Sequence, residues 1–158
     1  MNARLNPLAA APALMADWQR TSSAIVSSID PRLIELVEIR VSQINGCANC
    51  VNLHAWSARQ NGETEQRIYL LSAWREAPCY SERERAALGW AEALTRLCEA
   101  HTHERAYEAL AMHFTEEERV KLTLGIVVIN GWNRVAVGCG GFVDPASIKA
   151  RVQEPVAQ

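Results

Sequence analysis

Two thiols and an imidazole fall on one helical stripe in this chain. The segment Gly46-Cys47-Ala48-Asn49-Cys50-Val51-Asn52-Leu53-His54 places Cys47, Cys50 and His54 at three- and four-residue spacings. On a helix such residues are neighbours on one face. Gly46 ends the preceding helical pattern, so the thiols lie at the start of a new helix, where the positive end of the dipole and free N–H groups favour a thiolate. An unperturbed thiol has a pKa of about 8.5 and is only about 3% ionised at pH 7. A drop of about two units makes most of it reactive, for roughly 2.7 kcal/mol of differential stabilisation. His54, one turn beyond Cys50, is placed to take a proton from it or return one to a leaving group.

Three chemistries fit the pair. One is a redox dithiol. A second is zinc, held by Cys47, Cys50, His54 and one of His101, His103 or His113, although the fourth ligand would come from a distant segment and there is no second C-x-x-C. The third is a pair of inert buried thiols. Haem attachment fails because Val51, not His, follows Cys50. A thioredoxin-like setting would need strands beside the motif, and the flanks read as helices.

The helix before the thiols carries carboxylates. Over residues 32–45 its apolar residues cover most of the circumference, and Glu35, Glu38, Ser42 and Asn45 group into one polar strip. Such a strip either lines a buried site or faces water. If the two helices form a simple antiparallel hairpin about Gly46, Glu38 lies opposite His54 and Glu35 about a turn further away.

The elements that position these residues are helices throughout. The pattern predicts helices over 12–29, 32–45, 47–60 and 64–74. Asp30-Pro31 supplies a start signal. Ser81 with Glu84 and Thr115 with Glu118 are capping boxes. They open a helix through Cys98 and a long apolar helix over 120–132, and a further helix covers 102–114. The tail from Gly138 onward reads as irregular. The chain has 158 residues, 49% hydrophobic and 22% charged, with a net charge of -2. That suits one folded domain over residues 1–158 and excludes a disordered chain. There is no basic excess to meet nucleic-acid phosphates and no continuous apolar run of the ~18 residues a membrane span needs. The N-terminus lacks the pattern of a cleaved signal, so the expected location is cytoplasmic. Five cysteines at irregular spacing make a poor disulfide framework.

The run from Glu35 to His54 resembles the alkylhydroperoxidase AhpD-like proteins of the carboxymuconolactone decarboxylase superfamily. The shared pattern is a Glu, eleven residues, a Cys, two residues, a Cys, three residues and a His, met here by Glu35, Cys47, Cys50 and His54. The close match covers about residues 33–62, and the helical pattern agrees through about residue 135. The resemblance implies an all-α AhpD-like domain with a core over about 13–135 and the C-x-x-C at the N-terminus of a central helix. It also implies assembly into a homo-oligomer, a trimer or hexamer, and peroxidase chemistry with no metal or haem. Cys50 would attack the peroxide, Cys47 would resolve the product, and His54 and Glu35 would relay protons, with Glu38 a lesser candidate. The resulting disulfide would need an external dithiol reductant, lipoyl-bearing or thioredoxin-like. Some peroxidase members carry a His between the cysteines; here the position is Asn49, which does not titrate. The decarboxylase branch does not use a cysteine pair, so the C-x-x-C speaks against lactone decarboxylation.

Bland roles are expected for the other reactive residues. Cys98 reads as a core residue on the apolar stripe of its helix, and Cys79 and Cys139 as unpaired and passive. His101, His103 and His113 read as surface or C-capping residues. The five tryptophans read as core or subunit anchors. Tyr69 and Tyr80 are the aromatic residues with a chance of reaching the thiols. The apolar surface of the helix over 120–132 predicts self-association.

Overall fold

A computed structural model describes residues 4–99 and 103–140. Among these residues the chain is helical with no strand. The order is α1 (Pro7–Ala10), α2 (Pro12–Val26), α3 (Pro31–Ile44), α4 (Ala48–Gln60) and α5 (Glu65–Leu70), then a 3-10 turn at Leu71–Ala73. There follow α6 (Glu82–Thr95), a second 3-10 turn at Leu97–Glu99, α7 (His103–His113) and α8 (Glu116–Cys139). The all-α expectation holds.

The starts of these helices follow from side chains that satisfy their free N–H groups. Asp30 accepts from the Leu33 N–H at 2.9 Å, with Pro31 in the first turn. Ser81 and Thr115 each form a complete capping box with Glu84 and Glu118. Four boundaries differ from expectation. The helix expected over 12–29 ends at Val26. The segment expected to be helical over 64–74 tightens to 3-10 geometry at Leu71. The helix expected to reach Cys98 stops at Thr95, and Cys98 sits exposed in the following 3-10 turn. It is therefore not a core residue: the helical stripe that would have buried it ends three residues earlier. At the other end α8 runs on through Gly138 to Cys139, so these two residues are not irregular. The Cys139 carbonyl accepts the Arg4 and Leu5 N–H groups at 2.8 and 3.1 Å, which ties the N-terminal segment to the end of α8. The rest of the tail lies outside the described residues.

The most deeply buried helix is α3. Leu36, Val37, Ile39 and Val41 are wholly enclosed. Leu33, Ile34, Val37 and Val41 join one core cluster with Ala87 and Ala91 of α6 and Leu122, Ile126 and Ile129 of α8. Leu36 and Ile39 face a second cluster with Ala58, Leu71, Trp74 and Leu88. Burying an aliphatic side chain of this size contributes roughly 1.5–3 kcal/mol, so α3 is the packing axis. Helix α4 folds back on it through Gly46, whose φ of 66° only glycine adopts at little cost. In that turn the Cys47 N–H bonds the Ser42 carbonyl at 3.0 Å, closing α3 just before the first thiol.

Helix α8 is long and apolar enough, by length and composition, to cross a membrane. Apart from Arg134, its charged residues lie in the first two turns, between Glu116 and Lys121. In the fold it is a core helix: Leu122, Ile126, Val128 and Ile129 are buried. Gly131 lets the Trp18 ring of α2 lie against it, since a Cβ there would come within 2.7 Å of that ring. Trp18 and Trp132 pack in a tilted pair with ring centroids 5.9 Å apart. Of the remaining tryptophans, Trp74 is buried and Trp56 and Trp90 are half-buried.

Candidate functional site

The thiols meet where α3 hands over to α4. Cys47 is the N-cap of α4, in extended conformation, and its sulfur accepts the Cys50 N–H at 3.4 Å. Cys50 lies in the first turn, and the two are joined as a disulfide with Cα atoms 5.4 Å apart. That separation lies within the ordinary range for a bridge. Both residues are buried, Cys47 2% and Cys50 5% exposed. Cys79, Cys98 and Cys139 are free.

One turn along α4, His54 projects towards α3. Its Nδ1 lies 3.0 Å from Glu35 Oε2 and 3.2 Å from Glu38 Oε2. Both contacts fall on the same ring nitrogen, so Nε2 stays outside the carboxylate clamp. The second oxygen of Glu35 accepts from the Ser57 hydroxyl, one helical step further along α4. The antiparallel hairpin explains the order: Glu38 meets His54, and Glu35 reaches both His54 and Ser57. Both Glu35 and Glu38 contact His54, and Glu35 is not held a turn further away. Ser57 was not foreseen, although its three-residue spacing from His54 was the available signal.

This clamp sets the charge of the imidazole. Burial works against a charged ring, but the hydrogen bonds and negative charge of Glu35 and Glu38 outweigh it and raise the His54 pKa from 6.5 to about 10. Around neutral pH the ring is therefore an imidazolium, a donor and a local positive charge, rather than a free base. The Glu35, Glu38 and His54 ligand atoms lie within 4.8 Å of one another, so this trio has a donor set able to hold a cation. It differs from the zinc set weighed from sequence as an alternative, which drew on both thiols and a distant histidine. His103 is bonded to the Ala93 carbonyl through Nε2, and the His113 carbonyl receives Arg83; His101 lies outside the described residues. Tyr69 is exposed, and the Tyr80 hydroxyl donates to the Arg67 carbonyl. Neither contacts the trio.

The polar strip on α3 faces inward along its whole length. Glu35, Glu38 and Ser42 are buried. Beyond the His54 clamp, Asn45 donates to Asn130 and Asn133 of α8 at 3.0 and 2.8 Å, and Asn133 donates to Ser42 at 3.0 Å. This lattice pins the end of α3, and with it the turn that presents Cys47, to α8. A buried amide set satisfied in this way holds one geometry, because breaking any member strands the others.

The profile of the carboxymuconolactone decarboxylase family matches residues 12–93, a span that contains every residue of the thiol and His54 cluster. The chain belongs to this family. Uncharacterized protein YdfG of Bacillus subtilis (strain 168) is 42% identical over 127 residues, covering 80% of this chain and 85% of the relative. A crystal structure of a protein of unknown function from Agrobacterium tumefaciens, ATU0492, a candidate antioxidant defence protein AhpD, is 41% identical. It superposes with a TM-score of 0.84 over 99% of this chain and all of that one. Within the carboxymuconolactone decarboxylase family the chain is thus AhpD-like, as its C-x-x-C suggests. The debrominase Bmp8 shares the fold with a TM-score of 0.79 at 20% identity, over 90% of this chain and 77% of its own. This fold therefore carries more than one activity, and the site must decide which.

Proposed function

We propose that the chain is a thiol-dependent peroxidase that reduces hydrogen or organic peroxides through Cys47 and Cys50. The observation that carries this reading is His54, clamped at Nδ1 by the buried Glu35 and Glu38, one helical turn from a helix-capping dithiol. In the reduced enzyme the Cys50 thiolate attacks the distal peroxide oxygen. The S–O bond forms, the O–O bond breaks, and the departing alkoxide or hydroxide takes a proton from His54. Cys50 is then a sulfenic acid. Cys47 attacks its sulfur, water leaves, and the disulfide forms. An external dithiol returns both thiols by exchange and is itself oxidised. Glu35 and Glu38 hold the ring charged and oriented between turnovers, and Asn49 takes no part in proton transfer.

The near-complete burial of both sulfurs favours small peroxides and a slender reductant, such as a lipoyl arm, over a folded protein's active site. We place this chemistry in the cytoplasm, where thiols are kept reduced. The exposed stripe Val120, Leu124 and Val127 on α8 supports the expected pairing with further copies of the chain; sedimentation showing only a 17.5 kDa species would contradict that. The functional test is peroxide consumption with a panel of dithiol donors. Wild type should turn over with at least one donor, and Cys50→Ser should lose the activity. Equal rates in the two would remove the cysteine pair from the reaction.

A further inference from the structure

A cavity of about 500 Å3 opens between α6 and α7, and none of its residues belongs to the thiol site. That volume suits a small-molecule ligand. Arg75, Arg96 and Arg105 line it together with Glu92 and Glu99. The two acids do not balance the three cations equally. The Glu92 carboxylate is buried and already committed: Arg40 approaches it at 2.6 Å, Arg75 at 2.5 Å and the Trp74 indole at 2.9 Å. Arg40, which is not part of the lining, shares Glu92 with Arg75, so Glu92 has little charge left for Arg96 and Arg105. Glu99 is on the rim, 70% exposed, and reaches Arg96 only at 3.9 Å. Arg105 has no ion-pair partner among the described residues and sits in the first turn of α7, near the positive end of that helix.

Gly89 adds an independent sign of a ligand. It lies in the interior of α6, where glycine is unfavourable for helix stability. Packing does not require it: an added Cβ would meet only the Trp74 ring, at an ordinary 3.8 Å. What the missing side chain leaves is open wall in the cavity, continued one turn on by Ala93 and across the gap by Ala106.

We propose that this cleft binds a small phosphate-bearing anion, with Arg96 and Arg105 as its principal contacts and Gly89 keeping room for it. Guanidinium forks match phosphate oxygens two at a time. Arg75, a solvent-exposed lining residue, adds positive charge while it holds Glu92. Glu99, the one acid not committed, swings to solvent when the anion enters.

Titration calorimetry of the full-length protein with pyrophosphate tests this. Wild type should show saturable binding that weakens with added salt. Arg105→Gln and Arg96→Gln should each weaken it about tenfold. Gly89→Leu, which favours the helix but fills the wall, should abolish it while the thermal transition stays cooperative. Arg105→Gln should leave peroxide consumption unchanged. Absence of saturable heat, or affinity unaltered in Arg105→Gln or in a folded Gly89→Leu protein, would overturn the proposal.

Discussion

Two buried carboxylate centres flank α3, and they are built in opposite ways. On one face Glu35 and Glu38 share a single imidazole nitrogen, so two acids surround one cation that can release its proton. On the other, Glu92 of α6 receives Arg40 of α3, Arg75 and the Trp74 indole, so one acid is held by two cations that never titrate. Burial pushes the Glu92 carboxyl up, yet its three donors bring it below the ordinary range. The first arrangement holds a titratable ring one helical turn from the cysteine pair. The second locks α3, α6 and the turn after α5 together and has no proton to move. Where a protein keeps a titratable cation in an acid-rich pocket, it retains the capacity for proton transfer; where it surrounds an acid with arginine, it keeps only structure.

The largest expected effect breaks the first centre. His54→Gln should slow the reaction with peroxide by about 10²–10⁴-fold, the usual worth of a positioned acid or base, while the fold persists by circular dichroism. An unchanged rate would remove His54 from the chemistry. Next comes the opposite profile at the second centre. Glu92→Gln leaves the buried Arg40 guanidinium short of its counter-charge and should cost about 3 kcal/mol in urea unfolding. The rate per folded molecule should stay near that of wild type. A rate loss matching that of His54→Gln would erase the distinction between the two centres.

Linkage gives a third, smaller contrast. The His54 pKa is raised on folding from 6.5 to about 10. Its contribution to stability is therefore complete below about pH 6.5 and is lost as the pH rises through about 10. Thermal unfolding of the disulfide form should show this decline over that window, and His54→Gln should flatten it. The smallest effect sharpens the comparison from within. Glu38→Gln removes one arm of the clamp and should lower the His54 pKa by about one to two units, read by imidazole NMR. The peroxide rate should fall only several-fold, because Glu35 remains.

Much of the thiol site was legible because it is local. Cys47, Cys50 and His54 share one helix, and Glu35 and Glu38 share the helix before it, so a turn at Gly46 was enough to bring them together. The polar strip on α3 was ambiguous for a reason of the same kind: Glu35, Glu38, Ser42 and Asn45 make the same pattern whether the partner is water or protein. What buries them is α4 and, for Ser42 and Asn45, Asn130 and Asn133 some 85 residues later in the chain. No helical periodicity encodes that pairing. The Glu92 centre was missed entirely, since Arg40, Arg75 and Glu92 meet only through tertiary packing. Cys98 misled in the other direction: the apolar spacing of α6 continues on paper past the residue where the helix stops. The length of α8 was underestimated because Gly138 looked like a terminator, whereas the positive φ falls at Gly140.

The central claim is that peroxide oxidises Cys50 first and that Cys47 resolves it. Mass spectrometry after one equivalent of peroxide tests it most directly, with wild type read beside Cys47→Ser and Cys50→Ser. The reduced wild type should lose two hydrogens as the bridge closes, and Cys47→Ser should hold a trappable sulfenic acid at Cys50. A sulfenic acid at Cys47 in Cys50→Ser, with Cys47→Ser inert, would contradict the assignment.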